Sequence, residues 1–314
     1  MRLCLVRESQ ELEQTPTTAV SQRRLRLLAA RPTWDRHIGK KGMTSVTDTR
    51  AMYLDLMRRS LTRYGFDELA PVGAGRQSLP RRMLINALAK RNYVLAHPRP
   101  FDKHKRELGL DWPADAQTMV GMQRLFSLQW CIETVLVEDV PGDLIECGVW
   151  RGGASILMRA VLAAHGDATR CVWLADSFAG LPTPDAANYP ADAGMRLDLC
   201  RGLAVPQTEV MANFERYGLL DDRVCFLPGW FKETLPNAPI ESLAVLRLDG
   251  DLYESTIQAL ESLYPRLSNG GFCIIDDYHD IEGCQKAVTD YRDTHNIFSE
   301  IVEIDGTGIY WRKE

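Results

Sequence analysis

Leu144-Ile145-Glu146-Cys147-Gly148-Val149-Trp150-Arg151-Gly152-Gly153-Ala154 is the stretch on which the fold turns. A run of strand length, apolar but for one acid, enters a glycine-rich turn, and helical spacing continues from Ala154 to Ala164. The rhythm recurs downstream. Cys171 to Ala175, Val224 to Leu227, Leu243 to Leu248 and Phe272 to Ile275 are further apolar runs of strand length, with helical patterns at Thr208 to Tyr217 and Thr256 to Leu267. Near-continuous apolar strands alternating with helices indicate a parallel sheet covered on both faces. Two last strands, Ile301 to Ile304 and Gly308 to Arg312, meet at Asp305-Gly306 and close the sheet with an antiparallel hairpin.

Upstream of Gly142 the pattern is different. Residues 1 to 42 are polar, carry seven arginines and lack periodicity, so a disordered leader is expected there, with Met43 as a candidate start. The twin Arg23-Arg24 precedes only the short apolar stub Leu27-Leu28-Ala29-Ala30, too little for a secretion signal. Apolar residues at 52, 53, 54, 56, 57 and 61 predict a helix that serves as core or as an interface. Gln77 to Lys105 is basic and contains Pro80, Pro98 and Pro100, which predicts an irregular connection able to fold over a site. Helical spacing then returns from Asp111 to Val137. The expected organisation is a leader (1–42), a helical and lid segment (43–140) and a catalytic domain (141–314).

At 314 residues and 45% hydrophobic, the chain can bury one large core plus an accessory segment. A net charge of -5 is too mildly acidic for a nucleic-acid surface or a polybasic membrane patch, and no apolar run approaches the roughly 20 residues of a membrane span. The eight cysteines are scattered without a C-x-x-C pair, which predicts a reduced, cytoplasmic protein.

The turn after the first strand has the spacing E-x-G-x-x-x-G, with Glu146 and Gly148 as candidate ligand-binding residues. Glycines there let the backbone approach a ligand or simply let the helix pack on the strand. The spacing is not the G-x-G-x-x-G of nicotinamide binders, so no pyrophosphate need sit at the helix start. The closing hairpin suits the seven-stranded sheet of S-adenosylmethionine-dependent enzymes better than a plain dinucleotide fold. Ala175-Asp176-Ser177-Phe178 ends the second strand with an acid able to accept both ribose hydroxyls, or to cap the following helix. Trp230 and Phe231, after the third strand, are candidates for stacking on adenine or for the core.

The densest chemistry lies after strands four and five, at Leu248-Asp249-Gly250-Asp251 and Ile275-Asp276-Asp277-Tyr278-His279. Parallel strands bring these ends to one edge of the sheet, where open α/β folds bind ligands. Four converging carboxylates repel one another unless protons or a cation neutralise them. An all-oxygen set with no nearby Cys favours a hard cation such as Mg²⁺, with Asp249, Asp276 and Asp277 as ligands. Residues 249 and 251 can project to the same side of a strand end, so one can hold the ion while Asp251 acts as general base. His279 is the rival base. Capping is the plainer role for Asp251, ahead of Glu254-Ser255-Thr256.

Asp143 to Ala154, Ala175-Asp-Ser-Phe-Ala-Gly-Leu-Pro182, Pro228-Gly-Trp-Phe231, Leu246-Arg-Leu-Asp-Gly-Asp-Leu-Tyr-Glu-Ser-Thr256 and Ile274-Ile-Asp-Asp-Tyr278 together resemble the macrocin O-methyltransferase (TylF) family. The match runs from about Tyr53 to Trp311 and includes Asp111 to Met119. The resemblance implies a class I methyltransferase Rossmann-like fold, S-adenosylmethionine and Mg²⁺ as cofactors, and a deoxysugar hydroxyl of a macrolide, aminocoumarin or similar glycoside as acceptor. It implies metal binding by Asp249, Asp276 and Asp277, a base at Asp251, and cofactor contacts at Met119, Glu146, Gly148, Asp176, Ser177, Trp230 and Phe231. It further implies lids before Asp111 and around Tyr189 to Leu203, and a homo-oligomer. A catechol- or phenol-type metal-dependent methyltransferase, or a silent cofactor-binding partner, would share the sheet.

Overall fold

Asp48 accepts the Arg50 amide at 3.0 Å and caps α1 (Thr49–Thr62), satisfying one of the N–H groups that a helix start leaves free. The computed structural model describes residues 48–72 and 78–314. The expected leader and the candidate start at Met43 lie outside the described residues. α1 buries Leu54, Met57 and Leu61 and exposes Met52 and Leu56, so most of the predicted stripe is core.

The next segment departs from its sequence reading. Residues 78–105, within the stretch read as an irregular connection, hold regular structure. β1 (Glu68–Pro71) is followed by α2 (Leu79–Ala89) and by β2 (Ala96–Arg99), which pairs antiparallel with β1. Pro80 falls in the first turn of α2, where a missing N–H is tolerated. Pro98 sits in a ribbon of only two strands, where edge positions tolerate proline. α3 (Lys103–Leu108) comes next, and helical structure resumes only at α4 (Met122–Val137), not at Asp111. Pro113 disfavours a helical conformation at Trp112 and postpones the helix. In α4, Leu125, Leu128, Ile132 and Val135 are buried at a 3-4-3 spacing, one face turned to the core.

The remaining elements alternate, with the expected helices joined by two that the sequence reading did not mark, α7 and α9: β3 (Asp143–Cys147), α5 (Gly153–Ala164), β4 (Val172–Asp176), α6 (Gln207–Arg216), β5 (Val224–Pro228), α7 (Phe231–Thr234), β6 (Leu243–Leu248), α8 (Tyr253–Leu263), β7 (Leu267–Ile275), α9 (Glu282–Thr294), β8 (Val302–Glu303) and β9 (Ile309–Arg312). The predicted helix to Leu267 ends at Leu263 because Pro265 enters a 3-10 turn, and Leu267 already begins β7. The seven-stranded sheet has the order β5-β4-β3-β6-β7-β9-β8. Neighbours from β5 to β7 run parallel, while β9 is antiparallel to both β7 and β8. This is the mostly parallel sheet with an antiparallel closing hairpin that the sequence predicts. One core cluster fills the α1, α4 and α5 side with residues such as Leu125, Ile132 and Leu157. The other fills the α8 and α9 side with Leu260, Val288 and Trp311. No described helix is long and apolar enough to cross a membrane.

Candidate active site

All six residues of β6 are buried, including Arg247, whose charge has to be answered within the protein. Its guanidinium reaches three carboxylates. Nη1 donates to Glu146 Oε1 at 2.5 Å and to Asp249 Oδ2 at 2.9 Å, and Nη2 donates to Asp276 Oδ1. Arg124, from α4, donates through Nη1 to the other oxygen of Asp276 and through Nε to Asp305 Oδ2 at 2.8 Å. The ends of β3, β6 and β7 are therefore laced together by the buried Arg247 and the largely buried Arg124.

Beside this lattice lies a cavity of about 340 Å³, lined among others by Met119, Gly148, Asp176, Ser177, Trp230, Phe231, Asp249 and Asp251. Gly148 has φ +90°, and a Cβ there would fall 1.8 Å from the Asp249 carbonyl oxygen. The glycine turn and the acid-bearing loop are in backbone contact, which only glycine permits. Asp176 Oδ2 accepts the Val149 amide and Oδ1 the Phe178 amide, both at 2.7 Å. Burial holds its carboxyl above the usual range despite those bonds. Ser177 Oγ donates to the Gly180 carbonyl at 2.6 Å. Asp176 thus ties its own turn to the glycine turn after β3, and Ser177 closes its own turn, while both line the cavity. Glu146 does not line it. Its second oxygen accepts from Ser155 Oγ, and burial, partly offset by Arg247, pushes its carboxyl up to about 7.

Asp249, Asp276 and Asp277 each offer an oxygen, and these atoms all lie within 4.8 Å of one another. Asp277 Oδ2 is buried without a hydrogen-bond partner, an arrangement that proteins avoid unless something else answers it. Burial and then the neighbouring carboxylates hold Asp277 well above the usual carboxylate range, and Asp249 is raised by burial and Asp276. Burial, then Asp249 and Asp276, push Asp251 up to about 8. Crowded hard oxygens, one of them orphaned, fit a hard divalent cation. Asp251 has φ +59°, a left-handed conformation that a side chain other than glycine adopts at a cost, often at functional turns. His279 lies elsewhere. It is paired with Glu303 at 2.8 Å and is not among the cavity-lining residues.

The connection from β4 to α6 covers one side of the cavity. Its Leu203 lines the space, and Trp150 Nε1 donates to the Gly202 carbonyl at 2.9 Å. Its buried Asp192 accepts the Tyr253 and Glu254 amides at 2.7 and 2.9 Å, capping α8 directly after the Asp249 to Asp251 turn. Sequence reasoning missed Arg124, Asp192 and Arg247. A lone arginine inside the apolar run Leu243 to Leu248 is a readable signal that buried acids surround it; Asp192 and Arg124 leave no such trace.

A model of a family described as macrocin-O-methyltransferase (TylF) matches residues 50–313. An 8-demethyl-8-(2,3-dimethoxy-alpha-L-rhamnosyl)-tetracenomycin-C 4'-O-methyltransferase of Streptomyces olivaceus is 54% identical over 84% of this chain and 94% of its own length. Mycinamicin III 3''-O-methyltransferase of Micromonospora griseorubida is 47% identical over 83% of this chain and 96% of its own. Among solved structures, the O-methyltransferase NovP superposes with a TM-score of 0.71 at 44% identity, covering 84% of this chain and 99% of that one.

Proposed function

The chain belongs to the macrocin O-methyltransferase (TylF) family and is an O-methyltransferase; from that premise we propose that it methylates a deoxysugar hydroxyl of a glycosylated natural product, using S-adenosylmethionine and Mg²⁺. The orphaned Asp277 oxygen within the Asp249, Asp276 and Asp277 cluster, of which Asp249 lines the cavity, is the observation that carries the metal part. The sugar part is supported by the relatives, whose names specify positions on glycosides.

In this reading Asp176 and Ser177 hold the ribose end of the cofactor, Trp230 and Phe231 its adenine, and Met119 and Gly148 border the methionine end. Asp249, Asp276 and Asp277 would hold the cation. When bound, the cation lowers the pKa of an acceptor hydroxyl and S-adenosylmethionine supplies an electrophilic methyl. Asp251 would take the proton of the acceptor hydroxyl as that oxygen accepts the methyl group. Burial, then Asp249 and Asp276, push the Asp251 carboxyl up to about 8; a cation on those two acids would offset their share and favour the ionised carboxylate that can accept the proton, while burial would keep it more basic than an exposed one. The Leu203 side of the β4 to α6 connection keeps water from the reacting atoms. The cytoplasm is the proposed location. A homo-oligomer is also proposed, with Met52 and Leu56 available on the exposed edge of α1, and light scattering tests it.

Competition between a deoxysugar glycoside and a catechol, with and without EDTA, tests the function. The expected result is methylation of the glycoside that EDTA abolishes. Preference for the catechol, or full activity in EDTA, would overturn the sugar or the metal assignment respectively.

A further inference from the structure

Asp276 has both carboxylate oxygens occupied, by Arg247 on one side and by Arg124 on the other. The two cations come from different parts of the chain. Arg247 is a strand residue of β6, whereas Arg124 belongs to α4, ahead of the sheet in sequence. The Arg124 side chain runs between two backbones. A Cβ on Gly109 would lie 3.0 Å from its Nη2, and one on Gly308 would lie 3.1 Å from its Cδ. Its Nε is anchored on Asp305, whose other oxygen accepts the Thr307 and Gly308 amides at 3.1 and 3.0 Å and so shapes the β8–β9 turn. The side chains of Asp276 and Asp305 are 5% and 0% exposed, leaving little freedom in this chain of contacts.

We propose that Arg124 is a positioning residue of the cation site: it grips Asp276 against Arg247, fixes the angle at which Asp249, Asp276 and Asp277 converge, and makes the β8–β9 turn part of that support through Asp305. The inference rests on the metal reading above. It opposes a simpler role for Arg124 as a neutraliser of surplus negative charge. A guanidinium that only neutralised would repel a divalent ion, and its removal would tighten cation binding. A guanidinium that positions a ligand has the opposite signature, because loss of such outer support typically weakens metal binding roughly 10- to 100-fold.

Mn²⁺ binding to the full chain, followed by electron paramagnetic resonance with S-adenosylhomocysteine present, separates the two. Arg124→Lys keeps the charge but has no fork to span Asp276 and Asp305. It should weaken Mn²⁺ binding about tenfold. Arg124→Gln should weaken it at least as much. Asp305→Asn keeps the oxygen that orders the turn but turns an amide toward Arg124, and it should shift binding in the same direction. Calorimetric affinity for S-adenosylhomocysteine should stay at the wild-type value in all three. If Arg124→Gln does not fold, Arg124→Lys and Asp305→Asn decide the matter. Unchanged or tighter Mn²⁺ binding in folded variants overturns the proposal, as does a parallel loss of S-adenosylhomocysteine binding. Absence of Mn²⁺ binding to the wild-type protein refutes the metal reading itself and this inference with it.

Discussion

Replacing Gly148 by alanine tests whether the glycine turn and the acid loop act as one unit. The new Cβ would sit 1.8 Å from the Asp249 carbonyl oxygen and 2.6 Å from its carbonyl carbon, where real Cβ atoms do not approach within 3.0 Å. Relief requires the two backbones to part by more than about 1 Å. They are not free to do so, because the Gly148 amide donates to the Ala175 carbonyl at 2.9 Å and the Asp249 amide to the Cys147 carbonyl at 2.8 Å. Overpacking of this kind costs about 1–3 kcal/mol, and the positive φ at residue 148 adds roughly 1 kcal/mol for a residue other than glycine. With a urea slope of about 3 kcal/mol/M, the unfolding midpoint should fall by about 1 M. A displacement of about 1 Å at Asp249 should lower kcat/KM about 100-fold and weaken Mg²⁺ binding in calorimetric titration. An alanine variant with wild-type midpoint, Mg²⁺ affinity and turnover would refute the claim that this contact positions Asp249.

Asp251→Asn should lower kcat by about 10²–10⁴-fold while S-adenosylhomocysteine and Mg²⁺ affinities change little; wild-type turnover would remove Asp251 from proton transfer. Glu146 and Asp251, held at about 7 and about 8, bind protons in the folded state that the unfolded chain releases at lower pH. Stability of the metal-free protein should therefore fall as pH rises from the ordinary carboxylate range toward those values. Scanning calorimetry in EDTA should show Tm falling with pH and Mg²⁺ flattening that slope, and a rising Tm would contradict the burial of these acids. Asp277→Asn should abolish Mg²⁺-dependent stabilisation, and persistence of the full Tm shift would exclude it as a ligand. Asp192→Ala removes the cap of α8 and should cost about 1 kcal/mol, with faster amide exchange across residues 190–203; unchanged exchange would show that Asp192 does not hold that connection.

The centre of the sheet was legible because β3, β6 and the second half of β7 are buried on both faces and so are written as apolar runs bounded by turns. The acids at the ends of β6 and β7 were legible for the complementary reason, since charges in such runs mark the edge where the core stops. Most of what escaped the sequence has no periodic signature. α2 buries none of its residues, so nothing forces its apolar positions onto one face, and its one proline, Pro80, reads as a breaker although it occupies the first turn. α9 places Cys284, Ala287, Val288 and Tyr291 inward among many charges, a stripe too sparse to stand out. Asp192 and Arg124 act on partners 61 and 152 residues away along the chain. Only the folded chain brings those pairs together.

Glu146 is the instructive case, because its motif position suggested contact with the cofactor and its side chain faces Arg247 and Ser155 instead. Its effect on the cavity passes through Arg247, which holds Asp249 and Asp276 with the same guanidinium. Were Glu146 replaced by an apolar residue, Arg247 would lose its carboxylate partner on β3, and Asp249 and Asp276 would alone fix its position. An acid at the end of β3 therefore aligns the acids at the ends of β6 and β7. Gly148 reinforces this through the backbone, since its missing Cβ lets β3 and the Asp249 loop touch. The conjunction of E-x-G with L-D-G-D is thus one physical unit: a side-chain bridge and a backbone contact, two residues apart, link the glycine turn to the acid cluster.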